Sequence, residues 1–415
     1  MDILFKMSSI IFFPGKHNID ILGASRIIAC NLFPIISEDT RGAIIGMGQL
    51  LDDNPELANL EQIDIRPEYL RKALPYRVIE KANSSIAKGS KFNNVVSSWV
   101  QSRFDILADR IAAEKLKILF QNDSSQKTTV GLSSMSFAFG KATKEAGMRF
   151  VLHSQWCHPI TQNQLITDAY HKLKLPAPSF LKSKIYRQIK EYELADLIWC
   201  PSAFVQESLI ENGVPKEKTF VSHVGVNIND FNVNKDARSP SQPFMILFVG
   251  SVCVQKGVHV LLEALLHSSI SNTVMIFNGV ADQPAKFLLR EYEEKLANKN
   301  IFIKIDPGDP RRYHKKASIF VLPSVHDAFG IVVPEAMAAG LPVIVSTNVG
   351  AKECIKHGSS GFVFTSGDHE QLANYIDILF KSKKKRSEFG QVSHELAAYY
   401  DINLKNKKFL ETIKS

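Results

Sequence analysis

LPSVHDAFGIVVPEAMAAGLPVIVSTNVGA, residues 322–351, packs a strand end, a loop, a helix and the next strand into one run. The apolar segment Ile319–Leu322 stops at Pro323-Ser324, which closes a buried strand. Gly330 opens an Ala-rich helix to Ala339, and Gly340-Leu341-Pro342 steps into the next apolar strand, Pro342–Ser346. Two carboxylates thereby stand eight positions apart, Asp327 in the loop and Glu335 in the first turns of the helix. Ligands of open parallel sheets bind beyond the carboxyl ends of the strands, so this layout puts both acids at the mouth of a cleft. A carboxylate near a helix start gains from the helix dipole and can accept two hydroxyl hydrogen bonds, which suits a ribose diol. Asp327 would face a second polyol. On spacing alone, an N-terminal cap for Asp327 and a surface position for Glu335 account for the two acids equally well.

Outward from this stretch the same strand–helix rhythm continues in both directions. Upstream, strands are expected at Phe244–Val249, Asn272–Asn278 and Ile301–Lys304, with helices at 257–268 and 285–298. Downstream come a strand at Gly361–Phe364 and helices from Glu370 onward. The polar segment DARSPSQP, residues 236–243, is the best linker in the chain. Before it, strands are expected at 8–13, 128–132, 149–152, 197–200 and 219–223, and helices at 97–118, 137–146, 164–172, 181–195 and 203–212. A helix start is read at 24–30, and residues 42–93 show no readable period. The expectation is an α/β chain of two doubly wound domains, 1–240 and 241–390, with a C-terminal helix in 391–415 returning to the first.

Size agrees with two domains, since 415 residues exceed one ordinary hydrophobic core. The net charge of +8 is spread along both halves and attracts anions without choosing among nucleotides, phospholipid surfaces and nucleic acid. Five separated cysteines without a CxxC pair argue against a disulfide framework and point to free thiols in a reducing cytosol. The first residues lack the basic region and cleavage site of a signal peptide, and no apolar run is long enough to span a bilayer. No GxGxxG, no GxxxxGK[ST] and no metal-ligand spacing is present, so no metal ligand is expected.

Two further segments carry chemistry. In GSVCVQKG, residues 250–257, Gly250 follows a strand, Lys256 supplies a cation and Gly257 opens a helix. Such a turn can receive phosphates on backbone N–H groups and a helix N-terminus. In HSQWCHP, residues 153–159, His158 lies beyond a strand of the first domain beside His153 and Trp156, and would face the cleft. His314 and His326 read as packing or surface groups. KKKR at 383–386 reads as a solvated face at a helix end.

These segments together resemble the GT-B glycosyltransferases of the large retaining group known as family 4. FVGSVCVQKGVHVLLEAL, LPSVHDAFGIVVPEAMAAGLPVIVS, GAKE and HGSSGF match that family's pattern over about 140 residues. A weaker match runs upstream through ELADLIWCPSAF and GVNINDF. The resemblance implies two Rossmann-like domains facing each other across a cleft, the first binding an acceptor and the second a nucleoside-diphosphate sugar. It implies that Glu335 holds the donor ribose, that Asp327 contacts the transferred sugar, and that Phe329, Gly330 and Ile331 shape the sugar and phosphate pocket. Lys256 would bind the diphosphate, with Gly250, Ser251 and Gly257 allowing close approach. Glu353 would lie on the donor side and His158 on the acceptor side near the transferred sugar, forming the catalytic set with Asp327 and Glu335. No cofactor is implied beyond the donor substrate, and no nucleic-acid partner. The acceptor stays open among a glycan, a lipid-linked compound and a small molecule. The expected location is the cytoplasm, with peripheral contact at the inner face of a membrane also open.

Three positions depart from the family pattern. Ser251 stands where an arginine is usual, Asp327 where glutamate is frequent, and Asn227 where aspartate is frequent. The first change removes a guanidinium suited to a diphosphate. Arg311 or Arg312 could replace it, or the chain could serve as an accessory subunit of another transferase.

Overall fold

The computed structural model describes residues 9–13, 43–46, 61–64, 91–119, 128–178, 180–231 and 243–414. Runs such as FMILFV and IFVL are apolar without alternation, the pattern of strands covered on both faces. They form two parallel sheets. The first contains β1 (Ser9–Phe13), β2 (Ala43–Gly46), β3 (Glu61–Asp64), β4 (Thr128–Leu132), β5 (Arg149–His153), β6 (Leu197–Cys200) and β7 (Thr219–Val221). Its order is β3-β2-β1-β4-β5-β6-β7. The second contains β8 (Phe244–Val249), β9 (Thr273–Asn278), β10 (Ile301–Ile305), β11 (Ile319–Leu322), β12 (Val343–Ser346) and β13 (Gly361–Phe364), in the order β10-β9-β8-β11-β12-β13. Both sheets therefore reverse their winding next to their first strand, between β1 and β4 and between β8 and β11. Those are the crevices where open α/β sheets take ligands.

The helix Lys91–Leu119 covers the first sheet through buried Val100, Phe104, Ala108, Ile111 and Ala112. It also carries Asp109, whose carboxylate accepts the N–H groups of Ala138 and Phe139 and pairs with Arg187. The next helix, Phe137–Glu145, is thus capped from outside. The helix Pro159–Lys172 begins earlier than the periodicity suggested, because His158 caps it and Pro159 opens it. β2 and β3 lie inside the stretch that showed no period. They are four residues each; β2, AIIG, is too short to show a period, and β3, EQID, carries two acids. The helix expected at 24–30 and the linker segment to residue 242 lie outside the described residues.

After the helix Lys383–Ala397 the chain crosses back to the first sheet. Val226 N–H donates to the Tyr400 carbonyl at 2.9 Å. In the helix Ile402–Lys414, Phe409 packs on Trp199 with ring centroids 4.2 Å apart, and Arg149 donates to the Ile413 carbonyl at 2.9 Å. Cys157, Cys200, Cys253 and Cys354 are free thiols. Among the described residues no helix is long and apolar enough to cross a membrane.

Candidate functional site

The reversal between β8 and β11 brings the two ligand-oriented loops of the second sheet together. The carbonyl of Gln255, in the loop after β8, accepts the Val325 N–H at 2.9 Å from the loop after β11. On this joined platform Lys256 Nζ meets Asp327 Oδ2 at 2.5 Å. Both side chains are mostly buried, 21% and 13% exposed. Main-chain bonds hold Asp327 in place. Its N–H donates to the Asn348 carbonyl and its own carbonyl accepts the Gly350 N–H, each at 3.0 Å.

Two glycines are required by this geometry. Gly257 has φ +76°, and a Cβ there would strike the Pro323 carbonyl. Gly330 has φ +84°, and a Cβ there would press on Val349 and Leu322 beside Asp327. Four amides of the loop after β8 already donate to main-chain carbonyls. Gly250 donates to the Asn278 carbonyl, Val252 to Val280, Lys256 to Cys253 and Gly257 to Val254. The cradle expected along Gly250–Gly257 therefore narrows to exposed Ser251, the Lys256 ammonium and the first turn of the helix Val258–His267.

Phe329 is buried against His223 and Tyr400, and its carbonyl accepts the Ala351 N–H at 2.6 Å. Gly330 and Ile331 lead from it into the helix Val332–Ala338, which carries Glu335. The Glu335 carboxyl is pushed up to about 8, first by burial and then by the nearby charge of Asp230. Asp230 lies in the turn Ile228–Phe231, whose residues pack on that helix. A carboxyl poised near neutrality next to an aspartate can take hydroxyl donors from a diol and ionise as it does so.

His158 is 2% exposed, so it does not stand open to the cleft. Its Nδ1 faces the Ile160 N–H at 3.4 Å, its own N–H donates to Ser208 Oγ at 2.9 Å, and its ring lies against Tyr192. Burial holds its imidazole down at about 4. Its loop nevertheless reaches the second sheet. Cys157 N–H donates to His326 Nε2 at 3.4 Å, and Trp156 lies against the same imidazole. His326, read from the sequence as a packing or surface group, thus links the loop of His158 to the neighbour of Asp327.

Glu353 makes a second such link. Its Oε1 accepts the Ala203 N–H at 2.7 Å, at the start of the helix Ala203–Glu211, and its Oε2 lies 2.7 Å from His223 Nε2. Ser202 Oγ donates to the Ala328 carbonyl at 2.6 Å alongside. Glu353 is therefore engaged with the first sheet's elements rather than turned to a donor. The candidates for a replacement guanidinium are also engaged. Arg311 pairs with Asp309 at 2.8 Å and Arg312 pairs with Asp306.

Residues 230–395 match the family model of glycosyl transferases group 1. An uncharacterized glycosyltransferase of Methanocaldococcus jannaschii is 31% identical over 207 residues, covering 46% of this chain and 52% of that protein. The amylovoran biosynthesis glycosyltransferase AmsK of Erwinia amylovora is 33% identical over 178 residues, covering 40% of this chain and 43% of that protein. The chain spans about half the length of these curated relatives. Among solved structures, Anabaena Alr3699/HepE in complex with UDP superposes with a TM-score of 0.70 at 16% identity, covering 98% of this chain and 100% of that one. A glycosyltransferase from Rickettsia africae gives 0.66 at 18% identity, covering 99% and 98%. The chain has the GT-B fold, two Rossmann-like α/β domains facing a cleft, and its residues 230–395 are related to glycosyl transferases group 1.

Proposed function

We propose that this protein is a retaining glycosyltransferase that moves a sugar from a nucleoside-diphosphate sugar to a hydroxyl acceptor. The observation that carries this reading is the meeting of Lys256 and Asp327 at the β8/β11 crevice, with Glu335 on the helix that follows. In this reading residues 241–390 hold the donor, residues 1–240 the acceptor, and residues 391–415 tie the two together. Glu335 takes the ribose diol, and Lys256 takes the diphosphate with Ser251 and the first turn of the helix Val258–His267. Asp327 turns from Lys256 to the sugar hydroxyls, while Phe329, Gly330 and Ile331 wall the pocket. His158 acts on the acceptor side as a positioning group, through the loop that touches His326.

The departing nucleoside diphosphate keeps the electron pair of the broken glycosidic bond, and Lys256 offsets its developing charge. The acceptor hydroxyl attacks the same face, and its proton passes to the departing phosphate oxygen. Closure of the two halves excludes water and limits hydrolysis. The acceptor is a glycan, a lipid-linked compound or a small molecule. The work is placed in the cytoplasm, and the +8 charge favours contact with an anionic membrane face.

Calorimetry with uridine, guanosine and adenosine diphosphate sugars, followed by donor hydrolysis assays, tests the reading. Binding of one donor, lost in Glu335→Ala, is expected. Ser251 favours a second reading, an accessory subunit that supports another transferase. Absence of binding to every donor in the panel would favour that role.

A further inference from the structure

We propose that Glu263, His267 and His369 form a binding site for a divalent metal ion of the zinc class, at the far end of the helix that starts at the candidate phosphate loop. Among the described residues, the ligand-capable atoms of these three side chains all lie within 4.8 Å of one another. Glu263 and His267 are one turn apart on the helix Val258–His267, and His369 opens the helix His369–Lys381 packed beside it. The imidazoles of His267 and His369 have ring centroids 4.7 Å apart, and His267 Nδ1 lies 3.8 Å from Glu263 Oε2.

Two imidazoles and one carboxylate suit zinc or its neighbours, whereas magnesium and calcium take oxygen ligands. Tetrahedral zinc spaces its ligand atoms about 3.4 Å apart, so contraction of the group by about 1 Å completes the site. The exposed His267 side chain has room for that rotation. The fourth position stays open to water.

The supporting contacts are those of a built site rather than a chance cluster. The Tyr292 hydroxyl, from the helix Gln283–Ala297, donates to Glu263 Oε1 and holds the carboxylate in position. His267 Nδ1 lies 2.9 Å from the Glu263 main-chain carbonyl, so that Nδ1 keeps the proton and Nε2 is the nitrogen that binds the ion. Outer partners of this kind, a hydroxyl on the carboxylate and a carbonyl on the imidazole, are what orient metal ligands. The ion would add a second link between two helices that the Ser269 N–H, donating to Asp377, already ties at the same end. It lies about 15 Å along the helix from Gly257, so it takes no part in the transfer chemistry proposed above.

The test uses the untagged full chain, stripped with EDTA and titrated with Zn²⁺ against a chromophoric chelator, with Co²⁺ as a spectroscopic substitute. One equivalent per chain is expected, with a tetrahedral cobalt spectrum and a rise in melting temperature on loading. His267→Ala and His369→Ala should each weaken affinity by at least about tenfold, and Tyr292→Phe by less. Nucleotide binding should be unchanged in all three. Failure of the wild-type chain to take up zinc, or unchanged stoichiometry and affinity in the His267→Ala/His369→Ala double variant, would overturn the proposal. Both outcomes are independent of whether the chain transfers sugar.

Discussion

Lys256 Nζ and Asp327 Oδ2, brought from two different strand ends to 2.5 Å, neutralise each other across the β8/β11 crevice. The cation proposed for the diphosphate and the acid proposed for the sugar are thus partners before any donor arrives. A donor has to divide the pair, and each half of it should then find a new partner.

Removing one member should therefore have opposite effects on nucleotide binding. Asp327→Asn releases the ammonium and should tighten binding of the free nucleoside diphosphate by several-fold, while transfer falls. Lys256→Ala should weaken the same binding by at least about tenfold, or roughly 1.4 kcal/mol. It also leaves a mostly buried carboxylate without its cation and should cost about 1–3 kcal/mol of stability in urea unfolding. Calorimetry and denaturation on the two variants check both signs, and equal weakening by both would sink the proposed division of labour.

Glu335 ties donor binding to pH. Its carboxyl lies near 8 in the free protein, and the form that accepts two ribose hydroxyls is the ionised one. Below pH 8 binding should strengthen by up to about tenfold per pH unit, with proton release on binding, and should level off above it. The stability effect has the opposite direction. A carboxyl raised from 4.5 to about 8 contributes stability that is complete below 4.5 and lost as pH rises through 8. Glu335→Gln should bind donor weakly at all pH values, and its stability should improve relative to wild type between those limits. A wild-type binding curve flat from pH 6 to 9, measured calorimetrically, would contradict this.

Much of this site was readable before folding because its parts are local. Strand ends at Leu322 and Val249, glycines at 257 and 330, and the acid pair follow from runs of a few residues each. What could not be read was whatever joins distant segments. The Lys256–Asp327 pair needs the β8/β11 adjacency, and Glu353 meets Ala203 across 150 residues of chain. His369 is about a hundred residues from its two companions, so no spacing rule marks it. β2 and β3 escaped for a different reason: β2, AIIG, is apolar but only four residues long, and β3, EQID, carries two acids in four residues. The contacts of His158 with Ser208 and Tyr192, 50 and 34 positions along the chain, were equally beyond any local spacing rule.

Glu353 should behave as a joint between the halves rather than as a donor ligand. Glu353→Ala deletes the acceptor for the Ala203 N–H and the partner of His223, a loss comparable to that of a helix cap, about 0.5–2 kcal/mol. Nucleotide affinity should stay within about twofold of wild type, inside the tenfold that 1.4 kcal/mol represents, while transfer falls because the acceptor half is less well placed. A tenfold loss of nucleotide affinity would return Glu353 to the donor side.

Ser251 decides how strongly the donor is held. It is exposed at the tip of a loop whose neighbouring amides, at Gly250 and Val252, are committed to Asn278 and Val280. An arginine there could reach a diphosphate with paired N–H groups without disturbing the fold, because the side chain would extend into open space. Arg311 and Arg312 offer no such reach while Asp309 and Asp306 hold them. Ser251→Arg should therefore tighten nucleoside-diphosphate binding by about 1.5–3 kcal/mol, the range of a hydrogen bond to a charged group. The gain should shrink with added salt, as for any exposed ionic contact. If transfer rises with binding, the serine is a weak point in an active enzyme. If binding rises and transfer stays absent, the accessory-subunit reading is favoured. Calorimetry at two salt concentrations, paired with a transfer assay on the same preparation, separates the two.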